Sequence, residues 1–337
     1  MEKIKKKILI TGNLGYVGSV LTQYLSEKSY KITGVDIGWF KNDLVEKENP
    51  KFFKQHYKSF SKITTKEISK VDYIVHLAGV SNDPIGKEFK KITRKINVKE
   101  TKELIDKVSK FKEKTFIFAS SCSVYGFAEN NFKTENSKTA PLTEYSKSKV
   151  KIENYLKKKR VKSIILRYAT ACGISPRLRL DLVLNDFVTC AIKKGEIEIL
   201  SDGKPKRPLI DVLDMCKAIN YAIEGWLSKK NKVQIYNVGS TKNNYSILQI
   251  AKKVKYNFNK IYKKEISIKV NKTSSKDKRS YLVNFKKYEK TLKSKLKCKN
   301  INESIQELIK SINKTNKIKN DFRNSNLIRL NKLRKIL

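Results

Sequence analysis

The sequence predicts an α/β fold, a Rossmann-type doubly wound parallel sheet with a smaller α/β C-terminal substrate-binding region. Two observations carry this prediction. Short apolar runs alternate with helical patterns through the first half of the chain, as in repeated βα units. The turn T-G-N-L-G-Y-V-G over residues 11–18 joins the first apolar run to the first helical pattern. Glycines spaced in this way between a strand and a helix are typical of a dinucleotide-binding turn.

Apolar periodicity places the individual elements. We predict strands over residues 7–11, 31–36, 71–78, 115–120, 163–167, 197–200, 208–212 and 234–238, and helices over 19–29, 94–111, 144–158, 181–194, 213–227, 247–254 and 301–312. Residues 1–172 are expected to form the dinucleotide-binding domain, which also receives segments near 208–240. Residues 173–320 are expected to bind substrate, and 321–337 to form a basic C-terminal tail.

Length and composition exclude several classes of protein. A chain of 337 residues with 39% hydrophobic content is long and apolar enough to bury a core. It has no run of about 18 apolar residues, so no membrane span is predicted. The N-terminal lysines precede only three apolar residues, which favours a buried strand over a signal peptide and predicts a cytoplasmic protein. Two histidines and five cysteines without a C-x-x-C pair predict no metal site.

The formal net charge of +43 allows two interpretations. One is binding to nucleic acid or an anionic membrane, and the other is a general bias of composition. Lysine is spread over the whole chain and no nucleic-acid module is visible, so we expect no nucleic-acid partner. Arginine is scarce, and its planar fork suits phosphate oxygens. The candidates for phosphate binding by residue type are Arg167, Arg177, Arg179, Arg207 and Arg279.

The glycine turn and the end of the second strand together predict the cofactor. Gly12 allows a tight turn, Gly15 lets the backbone approach a pyrophosphate, and Gly18 permits close helix packing. Asp36 ends the second predicted strand. A carboxylate there accepts hydrogen bonds from a ribose 2′-hydroxyl and repels a 2′-phosphate, which favours NAD over NADP.

Two further patterns indicate hydride-transfer chemistry. Tyr145 and Lys149 are four residues apart, so they share a helix face. A neighbouring ammonium favours the phenolate of a tyrosine, whose pKa is otherwise near 10. The run S-S-C-S-V-Y-G over residues 120–126 ends a buried strand, where open α/β sheets place their ligands.

In this order and spacing, these motifs resemble the extended short-chain dehydrogenases/reductases, and more narrowly the NAD-dependent epimerase/dehydratase family typified by UDP-glucose 4-epimerase. The likeness runs from about residue 7 to about residue 285. It implies NAD as cofactor, Tyr145 as catalytic base, Lys149 as the group that lowers its pKa and holds the nicotinamide ribose, and Ser121 as catalytic hydroxyl. It also implies a homodimer formed through the helices of 94–111 and 145–158.

The resemblance implies binding residues around this trio. Cofactor contacts are expected from Gly12, Asn13, Leu14, Gly15, Tyr16, Val17, Gly18, Asp36, Leu77, Ala78, Gly79, Asn97, Tyr145 and Lys149. Substrate contacts are expected from Ser123, Thr170, Arg177, Arg179, Asn185, Arg207 and Arg279. Among these, Arg207 and Arg279 resemble arginines that clasp the substrate diphosphate, and Asn185 resembles a helix asparagine near the nucleotide.

Two of the chain's departures from the family bear most on the reaction. Where the dehydratases carry Asp-Glu after the catalytic hydroxyl, this sequence has Cys122 and Ser123, which argues against 4,6-dehydration. We interpret Cys122 as a packing residue. The stretch S-P-R-L-R-L-D over residues 175–181 replaces the usual substrate loop and indicates an unusual sugar.

The leading hypothesis is NAD-dependent epimerisation of a nucleotide-diphosphate sugar, by reversible hydride transfer through a keto-sugar. The alternative keeps the site but stops after one hydride transfer, as in a nucleotide-sugar 4-keto reductase or dehydrogenase. A third hypothesis, from another class, is a non-catalytic NAD- or nucleic-acid-binding protein on the same fold.

Overall fold

The computed structural model describes residues 6–46, 48, 50–51, 53–127, 131–228, 232–271 and 280–337. Its strands alternate with helices through the first half. The strands are β1 Lys7–Thr11, β2 Lys31–Asp36, β3 Phe53–Tyr57, β4 Tyr73–His76, β5 Thr115–Ser121, β6 Ser163–Tyr168, β7 Thr170–Cys172, β8 Glu196–Ile199, β9 Lys206–Asp211, β10 Val233–Val238, β11 Asn244–Ser246 and β12 Ser267–Val270.

The helices connect these strands and cover both faces of the main sheet. They are α1 Tyr16–Ser26, α2 Thr65–Ser69, α3 Asp83–Glu88, α4 Lys90–Arg94, α5 Thr101–Val108, α6 Glu144–Lys159, α7 Val183–Lys194, α8 Val212–Ile223, α9 Ile247–Tyr262, α10 Lys286–Leu292, α11 Ile301–Lys314 and α12 Arg329–Arg334. A π-helical segment, Lys95–Glu100, joins α4 to α5.

Seven strands form the central sheet, in the order β10-β6-β5-β4-β1-β2-β3. Every pairing in it is parallel. The predicted Rossmann-type fold is therefore confirmed. The chain winds outward from β1 in both directions, so a crevice opens beyond the carboxyl ends of β1 and β4, where such folds bind their ligands.

Apolar side chains explain why the central strands form. Ile8, Leu9 and Ile10 of β1 are all buried, since helices cover the sheet on both sides. The observed bounds of β1 and β2 coincide with the predicted ones. The edge strand β3 was not predicted because its sequence, F-K-Q-H-Y, lacks an apolar run and its residues are only partly buried or exposed.

A second region packs around its own core. It contains the small sheet β11-β9-β7, the pair β12-β8, and the helices α7, α9 and α11. Capping boxes begin α9 at Ser246 and α11 at Asn300. The same helices bury their apolar faces against the two small sheets, and this packing supplies most of the stability of an amphipathic helix.

Several predicted helices differ in their bounds. The first begins at Tyr16 instead of residue 19, because Gly15 already serves as its N-cap. The helix predicted over 94–111 is divided by the π-helical segment, whose wider turn directs Asn97 inward. The helix predicted over 247–254 continues to Tyr262.

Residues 321–337 pack against the rest of the molecule. Phe322 and Leu333 are buried, and α12 lies beside the loop that follows β2. The strand β10 joins the central sheet beside β6, although it follows the second region's first strands in the chain. Within the described ranges, no helix is long and apolar enough to cross a membrane.

Replacing Leu308 with alanine tests the core of the second region. Leu308 is fully buried on α11, so Leu308→Ala leaves a cavity and should lower the free energy of unfolding by about 2–5 kcal/mol. Urea denaturation measures this loss. Lys310→Ala, an exposed exchange on the same helix, is the matched control. Equal stability of the two variants would contradict the described packing.

Candidate active site

The glycine turn lies directly against the end of β4. Gly12 has a φ of +75°, and a Cβ atom there would lie 2.6 Å from the backbone nitrogen of Ala78. The amide of Gly12 donates to the Val35 carbonyl at 2.9 Å, and the amide of Gly15 donates to the Gly12 carbonyl at 3.1 Å. The turn thus presents bare backbone at the N-terminus of α1, which fits the diphosphate of a dinucleotide.

Asp36 lies at the carboxyl end of β2, beside this turn. Its carboxylate accepts hydrogen bonds from the Leu14 amide at 3.1 Å and the Gly38 amide at 2.8 Å. Burial raises the pKa of Asp36, while these two bonds oppose that shift. The carboxylate is therefore held in place at the wall of the cavity, where a ribose can reach it.

A single cavity of about 1520 Å³ contains most of the predicted site residues. This volume is ample for a dinucleotide together with a second ligand. The predicted residues along its wall are Gly12, Gly15, Tyr16, Val17, Gly18, Asp36, Leu77, Ala78, Gly79, Ser121, Ser123, Tyr145, Lys149, Thr170, Arg179 and Arg207. Cofactor and substrate candidates thus face the same space.

Ser121, Tyr145 and Lys149 all lie at the wall of this cavity. Ser121 ends β5, and the other two lie on the first turns of α6, which begins with a capping box at Thr143. The Lys149 Nζ donates to the Ala119 carbonyl at 2.7 Å and lies 5.6 Å from the centre of the Tyr145 ring. The arrangement brings a phenol, a hydroxyl and an ammonium into one reaction pocket.

Burial is the largest influence on the pKa values of Tyr145 and Lys149. It raises the pKa of Tyr145, and Asp83 acts in the same direction, whereas Arg179 and a hydrogen bond from Ser121 lower it. The sequence argument expected the ammonium of Lys149 to lower the pKa of this phenol below its usual value. In the structure burial outweighs every favourable charge, so Tyr145 holds its proton.

The same burial lowers the pKa of Lys149 to about 8, while Glu153 opposes the shift. Glu153 lies one helical turn beyond Lys149 and is itself buried. Its carboxylate pairs with Arg167 at 2.6 Å and accepts a hydrogen bond from Ser120 at 2.6 Å. Arg167, a phosphate candidate by residue type, therefore serves this internal ion pair.

Glu153 was not predicted as a site residue from the sequence. Its spacing of four residues from Lys149 is the signal that could have found it, because residues so spaced share a helix face. His76, in contrast, is a structural residue. Burial lowers its pKa to about 3, and its ring bonds to Thr11 at 2.8 Å and Thr101 at 3.1 Å.

Four predicted substrate residues border the pocket. The Ser123 Oγ is buried and has no hydrogen-bond partner in the described part of the chain, so it is available to a ligand. The guanidinium of Arg179 pairs with Asp181 at 2.8 Å and donates to Ser81 at 3.1 Å. Arg207 lies 5.4 Å from the ring centre of Tyr281. Thr170 begins β7 beside them.

Other predicted ligand contacts are not brought to the cavity. The guanidinium of Arg177 pairs with Glu48 and donates to the Phe40 carbonyl at 3.1 Å, so it fastens the loop after β2. The Asn185 side chain accepts from the Gly173 amide at 3.0 Å and donates to the Arg179 carbonyl at 2.9 Å. These two residues support the substrate loop from behind.

Three predicted cofactor residues, Asn13, Leu14 and Asn97, are also not on the cavity wall. The side chain of Asn97 exchanges hydrogen bonds with the Val80 backbone at 2.8 and 2.9 Å, and thereby fixes the loop after β4. Asn13 is buried under the glycine turn and donates to Gln55 at 2.7 Å. Leu14 contributes its amide to Asp36. Arg279 lies outside the described residues.

The part of the chain that the structure describes holds no group of three or more His, Cys, Asp or Glu side chains suited to a metal ion.

The cavity also contains polar residues that were not predicted from the sequence. They come from the loop after β4 and the start of α3, from the substrate loop, from the segment before α10 and from the C-terminal segment: Ser81, Asn82, Asp83, Asp181, Tyr281, Arg323 and Arg329.

The glycine turn, Asp36 and the Ser-Tyr-Lys trio in one crevice of a doubly wound sheet define an extended short-chain dehydrogenase/reductase. The model of the NAD dependent epimerase/dehydratase family matches residues 8–239. The chain belongs to this family. It is thus a member of a group of NAD-dependent sugar-nucleotide enzymes that contains both epimerases and dehydratases.

Individual relatives are distant. Uncharacterized UDP-glucose epimerase YtcB of Bacillus subtilis (strain 168) is 28% identical, with 63% of this chain and 71% of that protein covered. The dTDP-D-glucose 4,6-dehydratase of Dictyostelium discoideum is 28% identical, with 74% and 61% covered. The fold also matches UDP-glucuronic acid 4-epimerase from Bacillus cereus in complex with UDP-glucuronic acid and NAD, with a TM-score of 0.75, 23% identity, and 91% and 99% covered.

Replacing Glu153 with glutamine should make Lys149 lose its proton at lower pH. The buried carboxylate favours the ammonium, so its removal lowers the pKa of Lys149 further below about 8. The alkaline limb of kcat/KM should then move to lower pH, since this limb reports groups of the free enzyme.

Ser120→Ala is the control, because it removes a hydrogen bond to Glu153 but no charge. Glu153→Asp should restore the position of the limb. The substitution to glutamine also leaves Arg167 without its ionic partner, at a cost of about 3–5 kcal/mol in stability, so folding is checked by circular dichroism. An unmoved limb in folded Glu153→Gln would refute the role of this carboxylate.

Proposed function

We propose that this protein interconverts the epimers of a nucleotide-diphosphate sugar through a keto-sugar intermediate. The observation that carries the proposal is the meeting of Ser121, Tyr145 and Lys149 in the cavity that also contains the glycine turn and Asp36. When bound, NAD supplies a hydride acceptor and, in its oxidised form, a positive charge beside the site.

The residues of the chain have distinct tasks in this proposal. Tyr145 exchanges a proton with the sugar hydroxyl at the carbon that is oxidised and reduced. Ser121 holds the same oxygen, and Lys149 holds the cofactor ribose and supplies positive charge. Because burial keeps the phenol protonated in the free protein, removal of the first proton depends on positive charge added close to Tyr145.

Arg207 suits the diphosphate of such a substrate, and Ser123 suits its sugar. The guanidinium of Arg207 is buried at the cavity wall and can pair with a diphosphate. Ser123 offers its unsatisfied hydroxyl near the reaction pocket. The charge of Arg179 is already balanced by Asp181, which favours a neutral sugar over one with a carboxylate at that position.

The local chemistry favours epimerisation over dehydration. Cys122 follows the catalytic hydroxyl, where the dehydratases carry an acidic residue. Its thiol is buried, its Sγ donates to the Arg167 carbonyl at 3.2 Å, and burial raises its pKa, so it is neither acid nor base in the reaction. This agrees with the interpretation of Cys122 as a packing residue.

Incubation with UDP- and GDP-sugars tests the proposed reaction. NMR should show a second isomer without net change in absorbance at the nicotinamide band. Stoichiometric oxidation or reduction of the cofactor with no isomer formed would favour the reductase or dehydrogenase instead. A 6-deoxy-keto product would indicate dehydration.

The homodimer and the cytoplasmic location remain predictions. Sedimentation of the purified protein tests the homodimer.

Tyr145→Phe should lower kcat by about 100- to 10,000-fold, since it removes the group that transfers the proton. Binding of NAD, followed by titration calorimetry, should remain close to the wild-type value. The matched control is Tyr155→Phe. Tyr155 lies on the same helix, and its hydroxyl donates to Asp106 outside the cavity. Full activity in Tyr145→Phe would exclude the proposed proton transfer.

Asp36→Asn should weaken the preference for NAD over NADP. A charged acceptor for ribose hydroxyls is lost together with its repulsion of a 2′-phosphate, and about a tenfold or larger change in the ratio of dissociation constants is expected. Asp72→Asn is the control, because Asp72 caps the opposite end of β1 by accepting from the Lys7 amide at 2.7 Å. An unchanged ratio would contradict the placement of a ribose at Asp36.

A further inference from the structure

The C-terminal segment, residues 321–337, contributes a wall to the cavity. Its side chains at the cavity surface are Arg323, Ile328, Arg329 and Leu330. All of them lie beyond residue 239, where the match to the family model ends. The match to the family model therefore does not describe this wall of the cavity.

Buried contacts hold this wall in place. The Leu180 amide donates to the Leu327 carbonyl at 3.0 Å, and Phe322 is buried in the core of the second region. Leu333 of α12 packs with Val80 and Ile85, which follow β4. The wall thus connects the substrate loop with the loop after β4, across the crevice of the sheet.

Charged contacts join the same wall to the loop after β2. Asp43 of that loop lies 3.4 Å from the Arg329 guanidinium and 3.3 Å from the Lys332 ammonium. On the opposite side, Arg334 pairs with Glu88 of α3 at 2.7 Å. One carboxylate is therefore shared between two cations at the position where Arg329 meets the cavity.

The guanidinium of Arg329 is buried with few partners. Its Nη2 donates to the Arg177 carbonyl at 3.1 Å, and its central carbon lies 4.0 Å from the ring centre of Phe40. Burial lowers the pKa of Arg329 to about 10, and the neighbouring Arg179 acts in the same direction. Asp181 and Asp43 oppose this shift, so Arg329 keeps a positive charge at the cavity with which an anionic ligand can pair.

Arg329 also lies between the two ends of the cofactor site. Its guanidinium lies over the ring of Phe40, four residues after Asp36, which is the carboxylate expected at the adenosine ribose. It also donates to the carbonyl of Arg177, two residues before Arg179, whose guanidinium donates to Ser81 at the cavity wall. A dinucleotide that extends from Asp36 to Tyr145 carries its diphosphate between these points.

We propose that Arg329 binds the diphosphate of NAD, and that the C-terminal segment is the outer wall of the cofactor site. The inference rests on NAD as the cofactor, but not on which sugar reaction follows. In this arrangement the diphosphate receives backbone amides from the glycine turn on one side and a guanidinium on the other.

Titration calorimetry with nucleotide-free protein tests the assignment. Arg329→Ala should weaken binding of NAD and of ADP-ribose by about ten- to a hundredfold, the loss expected for a hydrogen-bonded charge. Binding of adenosine, followed by ligand-observed NMR, should be unchanged because adenosine has no phosphate. Arg334→Ala, which removes an arginine from the same helix outside the cavity, should bind all three ligands as the wild type does.

Two outcomes would overturn the proposal. One is an unchanged dissociation constant for NAD in folded Arg329→Ala. The other is an equal loss of affinity for NAD and adenosine, which would mean that Arg329 only supports the fold of the wall. If Arg329→Ala does not fold, Arg329→Gln, which can keep the contact with the Arg177 carbonyl, is measured with the same ligands. Absence of epimerase activity would leave these binding results unaffected, so the two proposals fail independently.

Discussion

The backbone of Gly12 passes so close to the end of β4 that a Cβ atom would lie 2.6 Å from the Ala78 nitrogen. This approach, possible only for glycine at a φ of +75°, lets β1, β4 and α1 meet at the point where the sheet changes direction. Asp36 is then fixed by the Leu14 amide of the same turn. The absence of a side chain at Gly12 therefore determines the position of the Asp36 carboxylate and of the cavity that opens beyond it.

Burial shifts the pKa values of Tyr145 and Lys149, the two titrating members of the proposed catalytic trio, in opposite directions. It favours the neutral form of each, so Tyr145 keeps its proton while Lys149 is brought nearer to losing one. Glu153 limits the second effect and needs Arg167 to balance its own charge. The ion pair beneath the cavity thus sets the charge of Lys149 in the proposed catalytic trio, although neither partner lines the cavity surface.

Strong local patterns made much of the fold predictable. β1 and β2 could be placed because buried parallel strands need continuous apolar runs. β3 was not predicted because a partly exposed edge strand does not need a continuous apolar run. The π-helical segment was not predicted because its sequence still has helical periodicity. At the site, the glycine turn and the Ser-Tyr-Lys trio are local motifs that could be recognised. Arg177 and Arg329 could not be assigned, since only the tertiary contacts show that one is behind the cavity and the other faces it.

Lysine greatly outnumbers arginine in this chain, yet arginine occupies the buried ion pairs with Glu153, Glu48, Asp181 and Asp43. At Arg167 the planar fork satisfies both oxygens of Glu153 and a tyrosine hydroxyl at once. A lysine offers one point of charge and could not reach all three. Lysine and arginine can therefore replace each other on the surface during evolution, but not at these interior positions. Divergent descendants of this sequence should retain these arginines long after their surface composition has changed.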